Sequence, residues 1–355
     1  MLEYSALNVN KGIEQPPSTS NSAIERFKAV KRKKYSLEDY VNGILSGDRI
    51  ILSQAITLVE SLLPEHQVLA QEIVGKCIPH SGKSLRIGIT GVPGVGKSTF
   101  IESFGKLITS EGRKLAVLAI DPSSERSKGS ILGDKTRMEE LSIDPNAFIR
   151  PSPTAGSLGG VARKTHESLI LCEAAGFDTI FIETVGVGQS ETTVHSMVDI
   201  FLLLMLAGAG DELQGIKRGI MEMADAIVIT KADGNNKEKA EIAKQQYINA
   251  LHLFPKTESG WIPQVTTCSS LNAIGLTAVW KIVSDFFEHV TKKDFLSLKR
   301  SRQAKQRMHE TIQEGLKTNF YNNSNVKKYL EELENKVLRG EISSFAAANE
   351  LLSFL

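Results

Sequence analysis

Arg86-Ile-Gly-Ile-Thr90 runs straight into Gly91-Val92-Pro93-Gly94-Val95-Gly96-Lys97-Ser98, and residues 97–109 then carry apolar side chains at helical spacing. A short apolar run that ends in GxxxxGK[ST] and opens a helix is the sequence form of a phosphate-binding loop. The glycines let the backbone curl so that successive N–H groups converge on phosphate oxygens, and the helix N-terminus adds partial positive charge. Lys97 can reach the β- and γ-phosphates, Ser98 can offer its hydroxyl to Mg²⁺, and Thr99 continues the first turn.

Outward from this loop, short β-branched or apolar runs recur at Leu115–Ile120, Thr179–Glu183, Ile200–Leu206, Ala226–Thr230 and Gln264–Cys268, each followed by a Gly-rich turn or a helical stretch. That alternation predicts an α/β domain with a doubly wound, mostly parallel sheet covered on both faces. The expected organisation is a disordered arm over 1–22, a helical segment over 23–84, the nucleotide domain over 85–290 and a C-terminal helical segment over 291–355. Ser36 with Asp39 reads as a capping box, and helical stretches are expected over 36–45, from Asp48 to a stop at Pro64, and over 65–77. Gly340 reads as a C-cap. The last stretch, Ser343–Leu355, carries Phe345, Ala348, Leu351, Leu352 and Leu355, which need a covering surface.

Composition narrows the function classes. The 355 residues suggest about two domains at roughly 150 residues each. Lys plus Arg is 42 and Asp plus Glu 41, a net charge of +1, so no overall field recruits nucleic acid or an acidic membrane. The run Lys31-Arg32-Lys33-Lys34 reads as a solvated helix edge. Cys77, Cys172 and Cys268 lie far apart, outside any CxxC, and read as buried small hydrophobes. The longest apolar run, Ile200–Leu206, is far short of the ~20 residues a membrane span needs, and no signal-peptide pattern opens the chain. A cytoplasmic protein is the expectation.

A Mg²⁺-nucleotide site also wants a carboxylate at a neighbouring strand end. Asp121 ends one apolar run, and Glu183 ends another, followed by Thr184-Val185-Gly186-Val187-Gly188-Gln189, whose glycines suit a nucleotide-dependent switch. Thr230-Lys231-Ala232-Asp233 ends a strand. A carboxylate there can accept both the N1–H and the exocyclic N2–H of guanine, which adenine cannot offer, and the Lys231 stem can lie along the base. Ser269, Ser270 and Leu271 end the next strand and could turn backbone N–H groups to the guanine O6.

Taken together, GVPGVGKST at 91–99, AIDPSS at 119–124, ETVGVGQSE at 183–191, LMLAGAGDELQGIK at 204–217 and TKAD at 230–233 closely resemble the MeaB/ArgK group of G3E P-loop GTPases, which includes the methylmalonic aciduria type A proteins. The resemblance spans about residues 85–268. It implies a GTP-hydrolysing chaperone that gates cofactor loading and protection of a coenzyme B12-dependent acyl-CoA mutase, typically methylmalonyl-CoA mutase. It also implies a homodimer held by the C-terminal helices, with GTP or GDP and Mg²⁺ as ligands. By the same resemblance Asp121, Asp134 and Glu183 belong to the metal and switch region. The loop 207–217, with Asp211, Gln214 and Lys217, looks like a further switch, and Lys217 would join Lys97 in stabilising charge.

Two departures from the usual GTPase pattern stand out. Thr230 replaces the Asn of the base motif, leaving one hydroxyl to make its hydrogen bond. Gly186 is followed by Val187, with Gln189 only later, so intrinsic hydrolysis is expected to be slow until a partner completes the site. Two other classes fit the residues less well. A transport-associated kinase or ATPase is opposed by Asp233. A nickel or cobalt metallochaperone would want paired soft ligands, and Cys77 with His80 is the nearest approach; His166 reads as a helix-surface residue.

Overall fold

The computed structural model describes residues 35–120, 138–151, 158–184, 190–208 and 218–354. Among these, seven strands form one parallel sheet in the order β3-β2-β4-β1-β5-β6-β7. They are β1 (Leu85–Gly91), β2 (Leu115–Ile120), β3 (Ala147–Arg150), β4 (Thr179–Thr184), β5 (Ile200–Leu206), β6 (Ala226–Thr230) and β7 (Gln264–Thr267). β1, β2, β4, β5 and β6 are almost wholly buried, as strands covered by helices on both faces must be.

The helices are α1 (Leu37–Leu45), α2 (Arg49–Glu60), α3 (Pro64–Cys77), α4 (Lys97–Ser110), α5 (Glu139–Ile143), α6 (Leu158–Ala174), α7 (Ser190–His195), α8 (Arg218–Met223), α9 (Lys237–Leu251), α10 (Leu276–Lys292), α11 (Phe295–Asn322), α12 (Ser324–Leu338) and α13 (Ser344–Leu352). Ser36 and Asp39 close the expected capping box on α1. α2 stops at Glu60 rather than at Pro64, which is the first residue of α3, where a missing N–H costs nothing.

Two cores flank the sheet. On one face Ile44, Leu52, Ile56 and Ile73 from α1–α3 pack with Leu118, Ile180, Ile182 and Phe201, so the N-terminal helices share a core with the strands. On the other, Phe100, Phe104 and Ile108 of α4 and Val279, Val283 and Phe286 of α10 cover Ile87, Ile89, Val117 and Phe181. The C-terminal helices keep a small core of their own, Val326 and Leu333 of α12 against Ala347 and Leu351 of α13. Phe345 of α13 stays 81% exposed. The strand at Ala147–Arg150 has no counterpart among the expected runs. The arm 1–22, Lys31–Lys34 and Leu355 lie outside the described residues.

Candidate nucleotide-binding site

β1 lies between β4 and β5, so its carboxyl end delivers the loop 91–98 to the middle of the sheet's carboxyl edge. Gly91 must be glycine because the chain passes close to β5: a Cβ there would sit 2.5 Å from the Leu204 carbonyl oxygen. Gly96 takes φ +91° and starts α4 from the left-handed region, which admits glycine without strain. Val95 N–H closes the loop onto Val92 O at 3.2 Å, whereas among the described residues no protein acceptor takes the N–H groups of Gly94, Gly96, Lys97, Ser98 or Thr99. A curl of open donors at a helix N-terminus is an anion cradle.

Lys97 Nζ folds back onto the loop, donating to Gly91 O at 2.8 Å and to Val92 O at 3.5 Å. Burial lowers its pKa below the ordinary value, and the carboxylates of Glu183 and Glu191 work against that shift. Glu183 is 9% exposed at the end of β4, beside Ile89 of β1 and Ala119 of β2. The Thr90 and Thr184 hydroxyls meet at 2.7 Å and tie the two strand ends together. The Ser98 hydroxyl and the Glu183 carboxylate are hard oxygen donors of the kind Mg²⁺ takes. Asp121, Asp134, Gly186, Gly188, Gln189, Asp211, Gln214 and Lys217 lie outside the described residues.

The base motif meets the loop from the side. Thr230, where a hydroxyl was expected to make one bond in place of the usual Asn, is buried. Its Oγ1 donates to Val95 O at 2.8 Å and lies 3.3 Å from Met205 O, so it braces the phosphate loop. Lys231 Nζ donates to Gly94 O at 2.8 Å, which lays its stem across the loop. Asp233 Oδ2 accepts a short hydrogen bond from Ser269 Oγ, which holds the carboxylate in place. Ser269 was expected to offer its backbone N–H, but that group donates to Ile274 O at 2.9 Å. Ser269 therefore acts through Asp233, and only Ser270 and Leu271 keep their N–H groups open among the described residues. Ser103 of α4 donates to Ser270 O at 2.7 Å and fixes this segment against the phosphate helix. Leu271 is 82% exposed at the rim.

Glu191 was quoted within ETVGVGQSE but given no role. It is 3% exposed in the first turn of α7, near enough to Lys97 to act on its charge. A buried acid just after a Gly-rich loop was the available signal. His166, expected on a helix surface, lies on α6 and is partly covered. Its ring is half-buried in a groove of about 1080 Å³ between α6 and α11, where burial and the neighbouring Arg307 and Arg86 push its pKa down to about 3. The three cysteines are buried thiols as expected.

A central parallel strand ending in a phosphate loop, with a TKAD carboxylate on the same sheet edge, defines a P-loop GTPase. The chain belongs to the family described as methylmalonyl Co-A mutase-associated GTPase MeaB, whose family model matches residues 52–325. It is 43% identical to GTPase ArgK of Escherichia coli over 320 residues, covering 90% of this chain and 97% of that one. It is 47% identical to the methylmalonic aciduria type A homolog, mitochondrial, of Mus musculus over 320 residues, covering 87% of this chain and 77% of that protein. A crystal structure of an LAO/AO transport system kinase superposes with a TM-score of 0.73 at 37% identity, covering 91% of this chain and 98% of that chain. Among the described residues no helix is long and apolar enough to cross a membrane.

Proposed function

We propose that this GTPase serves a coenzyme B12-dependent acyl-CoA mutase of the methylmalonyl-CoA mutase type, gating the loading and protection of its cofactor through GTP binding and hydrolysis. The family match over residues 52–325 carries this reading. The site chemistry agrees with a GTP cycle. Open N–H groups and Lys97 neutralise the phosphates, and Asp233, oriented by Ser269, reads the guanine edge. Ser98 and Glu183, with Asp121 and Asp134, would hold Mg²⁺, which would supply charge neutralisation for the phosphates. The segments after Glu183 (Gly186, Gly188, Gln189) and at Asp211, Gln214 and Lys217 serve as switches, with Lys217 joining Lys97 against the developing charge once the partner docks.

A second copy of the chain is the proposed cover for Met308, Ile312 and Leu316, exposed at i, i+4 and i+8 on α11, and for Phe345. We assign the protein to the cytoplasm. Delivery of nickel or cobalt is the weaker reading, because burial pushes the Cys77 thiol up to about 11 and leaves it a poor thiolate ligand.

The test is GTP hydrolysis by the full chain, with ATP in parallel, alone and with a purified B12-dependent acyl-CoA mutase. A slow, GTP-only rate that rises at least about tenfold with the mutase is expected, since a completing partner group contributes on the order of 10³ or more in related systems. A GTP-only rate indifferent to the mutase would remove the partner assignment and leave the GTPase.

A further inference from the structure

α7 connects the two edges of the sheet. It opens directly after residues 185–189 with Glu191 beside Lys97, and its exit, Ser196–Asp199, enters β5 at the opposite, amino edge. It packs against β4 and against the strand that carries the phosphate loop. Gly88 of β1 leaves room for this: a Cβ there would be 2.7 Å from Phe201 and 3.0 Å from Val194 and Val198. A shift of α7 is therefore felt by β1 directly, and a helix of six residues has little internal cooperativity to resist one.

The exit of α7 is held by α11, and by polar groups. Gln303 Nε2 donates to Val198 O at 2.9 Å, and Lys299 Nζ to Asp199 O at 2.6 Å. Arg300 grips the Asp199 carboxylate with two bonds of 2.8 and 2.6 Å and reaches Gly82 O and Ser84 O at 2.5 and 2.7 Å. Arg307 makes a longer contact to Ser196 O at 3.5 Å. α11 is 28 residues, about 42 Å at 1.5 Å per residue. Gln303 is its one buried residue. Moreover Gln303 Oε1 is buried and has no partner among the described residues, so the clamp is only half satisfied as it stands. A buried polar atom left unpaired carries a free-energy cost, so this fastening is not at its most favourable in the arrangement described.

We propose that Gln303 and Arg300 are positioning residues that couple the nucleotide site to the C-terminal helices: α7 moves with nucleotide state, and α11 reads that movement at Val198 and Asp199. The proposal rests on the GTP cycle described above and not on the identity of the partner. Coupling of this kind is reciprocal, so loosening the clamp must change the relative affinities of the two nucleotide states.

The experiment measures the affinities of fluorescent GDP and of a non-hydrolysable fluorescent GTP analogue for the full chain and for Gln303→Met, which keeps the volume and removes the donor. Hydrogen exchange over 295–310 of the unmodified chain is followed with each nucleotide in parallel. The expected result is a change of at least about fivefold in the ratio of the two affinities, the lower end of typical allosteric coupling, with exchange over 299–307 that differs between nucleotides. A variant with lowered thermal stability but an unchanged ratio, together with identical exchange in the two states, would reduce the clamp to a structural fastening and overturn the proposal. Failure of the unmodified chain to bind either guanine nucleotide would overturn the site reading as well, and is distinguishable for that reason.

Discussion

The two edges of the sheet solve opposite problems with the same polar groups. At the carboxyl edge, among the described residues, the loop leaves the N–H groups of Gly94, Gly96, Lys97 and Ser98 open, Lys97 rests on loop carbonyls, and the Asp233 carboxylate is oriented by a hydroxyl with no cation paired to it. At the amino edge the charges close on each other. Arg86 and Glu173 pair through two bonds of 2.9 and 3.0 Å, and Glu173 also accepts from Ser84 and from the Gly82 N–H at 2.5 and 2.7 Å. Burial works against the Glu173 charge, yet these partners hold its pKa below the usual carboxylate value. Asp199 is likewise paired with Arg300 and accepts the Arg86 N–H at 3.0 Å. One edge leaves donors for a ligand, and the other uses its donors to fasten the chain. Polar residues at strand ends thus divide into a binding set and a fastening set, and substitution should separate them.

The largest effect is expected at the closed edge. Arg300→Met strands the buried Asp199 carboxylate and should cost about 3–5 kcal/mol in denaturant unfolding. A cost under 1 kcal/mol would mean that the amino edge is as open to water as the other. Lys97→Ala at the open edge should do the reverse, lowering GTP affinity or turnover by about 100-fold or more while the unfolding midpoint stays put. Normal turnover in this variant would displace the phosphate site from the loop.

Acid probes the molecule through two half-buried histidines outside the phosphate loop. His166 and His195 are held neutral, with pKa values pushed to about 3 and about 4 from an ordinary 6.5. The unfolded chain therefore binds more protons between those values, and stability falls as pH drops below 6.5. Asp225, raised by burial to about 6, acts in the opposite sense between pH 6 and its ordinary 3.8 and returns part of the loss. Going from pH 6.5 to 5, each histidine should account for about 2 kcal/mol and the aspartate should recover about 1. His166→Gln should remove about 2 kcal/mol of that acid loss, as unfolding at the two pH values will report; an unchanged loss would leave the ring solvated. The smallest effect concerns base choice. Asp233→Asn should shift preference from guanine toward xanthine nucleotides by about tenfold or more, the worth of one charge-assisted hydrogen bond.

The legibility of the sequence follows the same division. β1, β4, β5 and β6 announce themselves because strands buried on both faces read as unbroken apolar runs. β3 escaped because it is a four-residue edge strand whose last residue, Arg150, turns to Glu60 and Thr57 of α2. The phosphate loop and the TKAD end were readable since local spacing carries their chemistry. Thr230 and Ser269 were placed on the right strand ends with roles that only packing could correct. The amino-edge network was invisible: Arg86 and Glu173 stand 87 residues apart and Arg300 and Asp199 101, and no local pattern pairs charges over such distances.

The central claim, a guanine-specific phosphate site on the carboxyl edge, is tested most directly by displacement of fluorescent GDP from the full chain by unlabelled GDP and by ADP. GDP should displace the probe at a concentration at least about 100-fold lower than ADP, because a site that hydrogen-bonds a base edge rejects the analogue that lacks the matching donors. Equal displacement by the two nucleotides would contradict the reading of Asp233 and, with it, the account of this edge.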